Sequence, residues 1–399
     1  MERLDVVVIG GGLVGAAAAF RLVQGGASVA IVEAGHPNRG ASGANAGSLH
    51  FQLERRFLEN GDALAEQAAQ VLSLNRLAVE EWRSLEVELG PEVHINMKGG
   101  LMVAETAEEV RTLERKVQRE NRGGLNTRLV DGDEARRLAP GLSRTVVAAA
   151  HLSSEGHADP KALTPAFLAR ATAAGARLIQ GARVAAVCSD AAGYRLTIRQ
   201  GESEIVLSTG KVLIAAGAWT GRVGALFNLH LPIYPVALLM NVTERTTPML
   251  APLLQHVGQR LSMKQAHAGN LLIGGGWPSR MRLDENGRFD LEQPAELLPG
   301  SLAGNLAVAT RVFPPVADLN LIRSWTGITA VTADQTPIVG QVPQAPGVYV
   351  AAGGSAFTLG PVFARLLARL ILDEPEDRLD VFSPARFSHL NSFMGARLA

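Results

Sequence analysis

The sequence of 399 residues is poor in several features that would each indicate a class of protein. Its single cysteine, Cys188, cannot form a disulfide within the chain, and a cysteine-rich zinc or iron–sulfur site is excluded. Its 38 basic and 38 acidic side chains leave no surplus of positive charge, so nucleic acid is not expected as a partner. No apolar stretch reads as a membrane span, and we expect a cytoplasmic protein.

Two kinds of catalytic centre are also missing. The nine histidines show no H-x-H or H-E-x-x-H spacing, so no metal site is predicted. Neither Ser42 nor Ser355 lies in a G-x-S-x-G motif and none occurs elsewhere, so a serine nucleophile is not supported. Glycine, by contrast, occupies 42 positions, and its placement is informative.

The first 35 residues contain the strongest positive signal. Residues 5–9 form a short β-branched run that suits a strand buried on both faces, and residues 16–23 favour a helix. A second strand is predicted over residues 28–32. Strand, glycine turn, helix and strand follow one another in the order of a dinucleotide-binding βαβ unit.

Each glycine of the turn has a separate role in such a unit. Gly10 permits the tight turn, Gly12 lets a pyrophosphate approach the backbone, and Gly15 lets the helix pack closely on the sheet. The phosphates then lie at a helix N-terminus, where unpaired N–H groups attract negative charge. Glu33, at the end of the second strand, is placed to accept a hydrogen bond from a ribose hydroxyl. The motif alone does not separate FAD from NAD.

Two other stretches point to a long cofactor. Residues 39–50 are mostly small, so their backbone could lie against a flat ring system. Residues 348–352 are predicted to form a strand, Gly353 and Gly354 a turn, and residues 360–372 a helix. The order of strand, glycine turn and helix therefore occurs a second time, near the other end of the chain.

With these features the sequence resembles the D-amino-acid oxidase-like flavoenzymes, a group that includes glycine oxidase, sarcosine oxidase and D-amino-acid dehydrogenase. The landmarks run from residue 5 to residue 372 and are the glycine turn with Glu33, the segment 41–50, the strand 212–219, the blocks 325–328 and 333–340, and the turn 353–360. Residues 40–50 look most like the flavin β subunits of opine oxidases and D-hydroxyproline dehydrogenases.

The resemblance implies an α/β flavoprotein with two discontinuous domains. A Rossmann-like FAD-binding domain comprises residues 1–94, 151–224 and 325–399. An α+β substrate-binding domain, whose mixed sheet caps the flavin ring, comprises residues 95–150 and 225–324. FAD is expected to be non-covalent, because Ala44 stands where histidine-linked relatives carry their histidine.

The inserted region has its own local signals. A strand is predicted near residues 100–104, and Thr106 with Glu109 forms a capping box at the start of a helix. A second helix, predicted to start at Pro160, returns the chain to the FAD-binding domain, where two strands over residues 183–188 and 194–199 are predicted to form a hairpin. Residues 229–324 leave that domain again and read as strands with proline-rich connections.

The motif and the resemblance together imply the residues that hold FAD. Val184 would contact the adenine through its backbone, and the turn 357–360 would face the pyrimidine edge of the reduced ring with the positive end of a helix. The full set is Gly10, Gly12, Leu13, Val14, Gly15, Glu33, Ala34, Ser42, Gly43, Asn45, Ala46, Gly47, Ser48, Leu49, Val184, Ala216, Gly217, Trp219, Gly354, Phe357, Thr358, Leu359 and Gly360.

The substrate side departs from the family pattern. Several relatives clamp the substrate carboxylate with an arginine at the position of Thr329, and threonine cannot form a bidentate salt bridge. The candidate anchors elsewhere are Arg323, Arg280, Lys264 and Tyr234. Each of these has a plain alternative as a solvated charge or a packed ring.

His50 is the most attractive polar residue near the expected ring position. A neutral imidazole there could hydrogen-bond to a substrate amine or accept its proton, and the alternative is a loop histidine that closes the flavin pocket. The candidate catalytic residues are therefore His50, Tyr234, Lys264 and Thr329.

The predicted function is FAD-dependent oxidation of the C–N bond of an amino or imino acid, such as an opine or D-hydroxyproline, to an imine, by hydride transfer to flavin N5. Electrons would pass to an acceptor other than oxygen. One alternative is a stand-alone D-amino-acid, glycine or sarcosine oxidase that produces hydrogen peroxide. Another is a flavin subunit that is inactive without partner subunits carrying an iron–sulfur centre or a second flavin in a hetero-oligomer.

Overall fold

The computed structural model describes residues 2–395. The chain divides into two compact units. The first unit contains the residues up to 44, residues 161–236 and the residues from 329 onward, and the second unit contains residues 45–160 and 237–328. No helix within the described residues is both long enough and apolar enough to cross a bilayer.

The described strands, in chain order, are β1 (Glu2–Ile9), β2 (Val29–Glu33), β3 (Ser48–Leu49), β4 (Gly100–Ala104), β5 (Arg128–Asp131), β6 (Ala148–Leu152), β7 (Gly156–His157), β8 (Arg177–Gln180), β9 (Ala182–Asp190), β10 (Gly193–Gln200), β11 (Ser203–Ile214), β12 (Ile233–Arg245), β13 (Leu253–His256), β14 (Ser262–Gln265), β15 (Asn270–Gly274), β16 (Leu321–Thr332), β17 (Ile338–Gln341) and β18 (Val348–Ala352). The described α-helices are α1 (Leu13–Gln24), α2 (Ala41–Ala44), α3 (Arg55–Leu58), α4 (Asp62–Ala68), α5 (Leu72–Leu89), α6 (Ala107–Arg122), α7 (Gly132–Leu138), α8 (Pro160–Ala173), α9 (Thr220–Leu226), α10 (Pro299–Val312), α11 (Ala356–Ile371) and α12 (Ser388–Phe393).

The first unit is built on a sheet whose central strands run parallel. Its order is β17-β18-β11-β1-β2-β8, and β9 and β10 extend it as an antiparallel hairpin next to β11. Val6, Val7 and Val8 of β1 are all at most 1% exposed, because β1 lies in the middle of the sheet and both of its faces are covered. Small side chains allow α1 to approach: residues 16–19 are four fully buried alanines.

The second unit contains an eight-stranded mixed sheet in the order β16-β12-β15-β14-β13-β4-β6-β5. Strand β4 alternates between its two faces: Leu101 and Val103 share a core with Val312 of α10, whereas Met102 shares one with Leu113 of α6. This alternation is what a strand covered by helices on both faces requires. The α/β class with a second, mixed-sheet unit is confirmed.

Several local predictions are also confirmed. The backbone N–H of Glu109 donates to Thr106 Oγ1 (3.3 Å), and that of Thr106 donates to Glu109 Oε2 (3.1 Å), which completes the capping box. The hairpin of β9 and β10 and the helix starting at Pro160 are present as well.

One helix was not predicted, and the predicted start of another was wrong. Residues 229–324 contain the helix α10. It was not predicted because it contains Pro299, Gly300 and Gly304, and glycine and proline have low helix propensity. Gly304 is required because a Cβ there would lie 2.2 Å from the ring of Trp277, so packing overrides helix propensity. Helix α11 begins at Ala356, four residues earlier than predicted, after Ser355 in a left-handed conformation with φ of 60°.

The units do not coincide with the predicted domain boundaries. Residues 45–94, which the sequence assigned to the FAD-binding domain, belong to the second unit. The assignment of a cofactor role and a substrate role to separate domains remains a prediction.

Candidate functional site

The turn after β1 packs closely on the neighbouring backbone, as the glycine turn of a dinucleotide-binding unit does. Gly10 has φ of +116°, and a Cβ there would lie 2.4 Å from the carbonyl oxygen of Ala215. A Cβ on Gly15 would lie 2.0 Å from the carbonyl oxygen of Gly10. Neither position accepts a side chain, so glycine is dictated by the close approach of helix, turn and neighbouring strand.

The N-terminus of α1 faces this turn without a side-chain cap from its own N-cap residue, Gly12. The backbone N–H of Leu13 donates instead to the hydroxyl of Ser42, 3.0 Å away, on α2. Ser42 therefore lies at the positive end of the helix, where the sequence predicted a cofactor contact.

Glu33 is held in a fixed orientation at the end of β2. Its Oε2 accepts the backbone N–H of Gly11 (2.8 Å), and its Oε1 accepts that of Gly35 (2.8 Å). Each oxygen keeps a further lone pair for another donor. The tight glycine turn, the helix without an N-cap side chain and the oriented acid fit the adenosine diphosphate part of a dinucleotide.

We expect Glu33→Gln to weaken FAD binding by about 10- to 100-fold, the equivalent of one charge-assisted hydrogen bond. The amide would present an NH₂ group to one of two backbone donors, so the side chain would lose a partner and its orientation. The measurement is the FAD dissociation constant of the apoprotein, with the exposed Glu202→Gln as the matched control. Equal constants for both variants would contradict the assignment.

The other predicted cofactor residues of the first unit lie on several elements of that unit. Val184 lies on β9 and pairs with Ile198. Ala216 and the single 3₁₀ turn Gly217–Trp219 follow β11 directly. The remaining members are Val14, Ala34, Gly43, Gly354, Phe357, Thr358, Leu359 and Gly360, and the last four form the beginning of α11. A Cβ on Gly360 would contact Leu13 at 3.3 Å, so α11 packs closely on α1.

Residues Asn45, Ala46, Gly47, Ser48 and Leu49 lie in the second unit. The backbone N–H of Gly47 donates to the side chain of Asn45 (2.6 Å), which makes an Asx turn. Gly47 has φ of +78°, and a Cβ there would lie 2.1 Å from the carbonyl oxygen of Ala158. After this turn β3 pairs with β7. We name residues 45–50 the turn segment.

Lys264 lies directly beside the turn segment. Its side chain is 2% exposed, and its Nζ donates to the carbonyl oxygen of Ala158 at 3.1 Å. A Cβ on Gly47 would be 3.0 Å from the same Nζ. Burial lowers the pKa of Lys264 to about 7, although Asp159 opposes the shift. Near neutral pH this amine exchanges between its charged and neutral forms.

His50 lies over the same strand as Lys264. Its Nε2 is 3.3 Å from the hydroxyl of Ser262, and Ser262 and Lys264 are two residues apart on β14, so they share a face. Burial lowers the pKa of His50, which keeps the imidazole neutral at pH 7. The structure therefore brings two of the four candidate catalytic residues together.

The other two candidates lie on the parts of β12 and β16 that belong to the first unit, which are the residues up to 236 and from 329 onward. Tyr234 is 54% exposed on β12, and Thr329 lies on the neighbouring strand β16. The two arginine candidates have local partners instead: Arg323 lies 5.9 Å from the ring centroid of Trp325, and the exposed Arg280 pairs with Glu296 at 3.4 Å.

One charged residue near His50 was missed in the sequence. The guanidinium of Arg56 lies 3.9 Å from the ring centroid of Phe57 and pairs with Glu54 at 3.1 Å. Burial is the main cause of the lowered pKa of His50, and the positive charge of Arg56 lowers it further. No motif marks Arg56, because it lies on the four-residue helix α3 and reaches His50 only through the fold.

Comparison with known proteins gives the same picture over the whole chain. Residues 5–370 match the sequence model of a family described as FAD dependent oxidoreductase. Glycine oxidase of Geobacillus kaustophilus is 30% identical over 389 residues, which cover 97% of this chain and 97% of that enzyme. An opine oxidase subunit from Rhizobium meliloti is 27% identical over 396 residues, which cover 97% of this chain and 98% of that protein. The crystal structure of the Geobacillus kaustophilus glycine oxidase superposes with a TM-score of 0.83 at 27% identity, covering 96% of this chain and 98% of that chain.

Proposed function

This chain belongs to the FAD-dependent oxidoreductase family, with FAD as its cofactor, and we propose that it oxidises the C–N bond of an amino or imino acid to an imine. When bound, FAD supplies the acceptor for the two electrons that leave the substrate carbon. The observation that carries the proposal is that His50, at the end of the turn segment, contacts Ser262 on the face of β14 from which the buried Lys264 reaches the same segment.

His50 would act on the substrate nitrogen. Because its pKa is lowered by burial, the imidazole is neutral at pH 7 and can accept a proton from an ammonium group or a hydrogen bond from an amine. The amine must be neutral before its carbon can lose a hydride, since its lone pair forms the new C=N bond. Water then hydrolyses the imine.

Lys264 would supply a titrating charge. Below about pH 7 its Nζ holds a proton and places a positive charge against Gly47 of the turn segment, which we expect to face the flavin. A cation there would stabilise the negative charge that accompanies reduction, and above pH 7 the proton is lost.

Tyr234 and Thr329 would take the place of the missing arginine. Both carry hydroxyl groups on neighbouring strands, and hydroxyl groups can donate to a substrate carboxylate without forming a salt bridge. A neutral anchor of this kind binds a carboxylate more weakly than a guanidinium does. We therefore expect a secondary amine, such as an opine or D-hydroxyproline, whose N-substituent can add contacts, rather than glycine, which has no further group to bind.

The test is anaerobic mixing of the purified holoenzyme with a panel of amines. The panel contains glycine, sarcosine, primary D-amino acids, D-hydroxyproline and N-carboxyalkyl amino acids, and the readout is loss of the visible flavin absorbance. We expect the fastest bleaching with a secondary amine. If no member of the panel bleached the flavin, the proposed function would be wrong.

Admitting air to the same reduced samples tests whether oxygen is the electron acceptor. We propose an acceptor other than oxygen, so reoxidation in air should be slow and little peroxide should form. Peroxide released as fast as substrate is consumed would establish the stand-alone oxidase instead.

A second candidate is a flavin subunit of a hetero-oligomer. It is favoured by the similarity to a protein described as one subunit of an opine oxidase. Native mass after gentle purification tests it, since a monomer with full turnover would exclude the need for partner subunits.

A further inference from the structure

A second cluster of buried polar side chains lies in the second unit, outside the candidate catalytic residues. Gln52, Lys116, Glu120 and Glu155 are each at most 1% exposed. Gln52 lies in the irregular stretch after β3, Lys116 and Glu120 lie on α6, and Glu155 directly precedes β7. We name these four residues the buried network.

The network satisfies backbone groups that a loop cannot satisfy itself. The N–H of Gln52 donates to Glu155 Oε1 (2.8 Å), and the N–H of Leu53 donates to Glu120 Oε1 (2.6 Å). The carbonyl of Phe51 accepts from the side chain of Asn75 on α5 (2.8 Å). Backbone groups of three consecutive residues, 51–53, are therefore hydrogen-bonded by side chains of α5, of α6 and of the residue before β7. A buried loop needs such partners because its backbone groups cannot reach water.

The side chains of the network also bind one another. Gln52 Nε2 donates to Glu155 Oε2 (2.7 Å), and Lys116 Nζ donates to Gln52 Oε1 (2.6 Å). Lys116 forms an ion pair with Glu120 at 2.8 Å. A Cβ on Gly100 would lie 1.9 Å from Glu155 Oε2, so the carboxyl group occupies the space that a side chain at position 100 would need.

The charges of the network do not balance when all groups are ionised. One ammonium group, Lys116, faces two carboxylates, Glu120 and Glu155, without contact with water. Burial raises the pKa of Glu155 to about 7, although the hydrogen bonds from Gln52 and the charge of Lys116 oppose it. The network is neutral while Glu155 holds its proton and carries one negative charge after it loses it.

The network is joined to the turn segment at both ends. His50 precedes Gln52 by two residues, and Gly156, which pairs with Leu49, follows Glu155. The contact between Gln52 and Glu155 therefore continues the pairing of β3 with β7. We propose that Gln52, Lys116, Glu120 and Glu155 are positioning residues that hold His50 and the flavin-facing turn segment in place. This inference rests on the proposed function for the meaning of that segment.

Hydrogen exchange of the holoenzyme tests the positioning role. Lys116→Met keeps the length of the side chain but leaves Glu120 and Gln52 without their shared donor, so amides 48–53 should exchange at least about tenfold faster. Amides of β15 in the same unit should not change. The exposed Glu114→Gln on the same helix is the matched control. Equal exchange of residues 48–53 in both variants would overturn the proposal, and so would acceleration spread evenly over the unit.

Wild-type protein provides a second measurement in case Lys116→Met does not fold. The amides of Gln52 and Leu53 should be as protected as those of β3 and β7, although they lie outside any strand. Exchange at the rate of an exposed loop would overturn the proposal.

A pH series separates positioning from packing alone. Lys264 titrates in the same pH range beside the turn segment, so the series is measured in Lys264→Met and in the double variant Lys264→Met/Glu155→Gln. After correction for intrinsic rates, exchange of residues 48–53 and the FAD dissociation constant should rise in Lys264→Met by about three- to tenfold from pH 6 to pH 8.5, because the network acquires its unbalanced charge. In the double variant both should be insensitive to pH. A Lys264→Met series as flat as that of the double variant would overturn the proposal. Because these readouts need no substrate, they stand even if no amine reduces the flavin.

Discussion

Gly15→Ala should lose FAD, with a dissociation constant raised by at least about 100-fold. The new methyl group would lie 2.0 Å from the carbonyl oxygen of Gly10 and 3.2 Å from a side-chain methyl of Val8. Both neighbours belong to the central strand or the turn that follows it, so neither can rotate away. The helix must move off the sheet, and the N-terminus that would receive the pyrophosphate moves with it.

Two further variants show whether the loss comes from the site or from the fold. Gly210 has no heavy atom within 4 Å of its ideal Cβ, so Gly210→Ala should bind FAD normally. At Gly12 the nearest atom is the hydroxyl of Ser42 at 3.0 Å, which can shift, and the backbone has an ordinary φ of −77°. Gly12→Ala should therefore keep its thermal stability and still lose FAD, since the methyl group occupies the space of the phosphates. FAD binding by Gly15→Ala equal to that of Gly210→Ala would contradict the assignment of the turn.

The features that could be predicted from the sequence are those that neighbouring residues decide. The glycine turn and Glu33 lie within 25 residues of one another, and the capping box of α6 spans four. Their conformations follow from the residues themselves, because only glycine adopts φ of +116° readily and a short polar side chain such as that of threonine favours the start of a helix.

What could not be predicted depends on residues distant in sequence. Gln52 and Glu155 are 103 residues apart, so no local sequence pattern predicts the hydrogen bonds between them. Lys116 and Glu120 look like ordinary charges on an amphipathic helix, yet they continue its buried face. The helix α10 was missed because its glycine makes room for Trp277. In each case tertiary packing outweighs a local preference.

Lys264→Met should slow flavin reduction by about 10- to 100-fold at pH 6, because it removes the positive charge beside the turn segment. In wild type the rate should include a component that falls as pH rises through about 7, where the ammonium loses its proton. The variant should lack that component. Stopped-flow reduction with the best amine of the panel, followed from pH 6 to pH 8.5, measures both effects. Lys98→Met, at an exposed position of the same unit, is the matched control.

The same substitution should make the protein more stable, which separates a functional cost from a structural one. The pKa of Lys264 is lowered in the folded state, so the unfolded chain binds more protons between about pH 7 and the ordinary lysine range. Burial of the charge therefore costs most below pH 7, and that cost fades as pH rises. Methionine removes it but leaves the carbonyl of Ala158 without its donor, so we expect a net gain in unfolding free energy of about 2 kcal/mol at pH 6. A faster or unchanged reduction rate in this more stable variant would show that Lys264 has no role in the reaction, whereas a slower rate would show that the protein retains a destabilising buried charge for its chemistry.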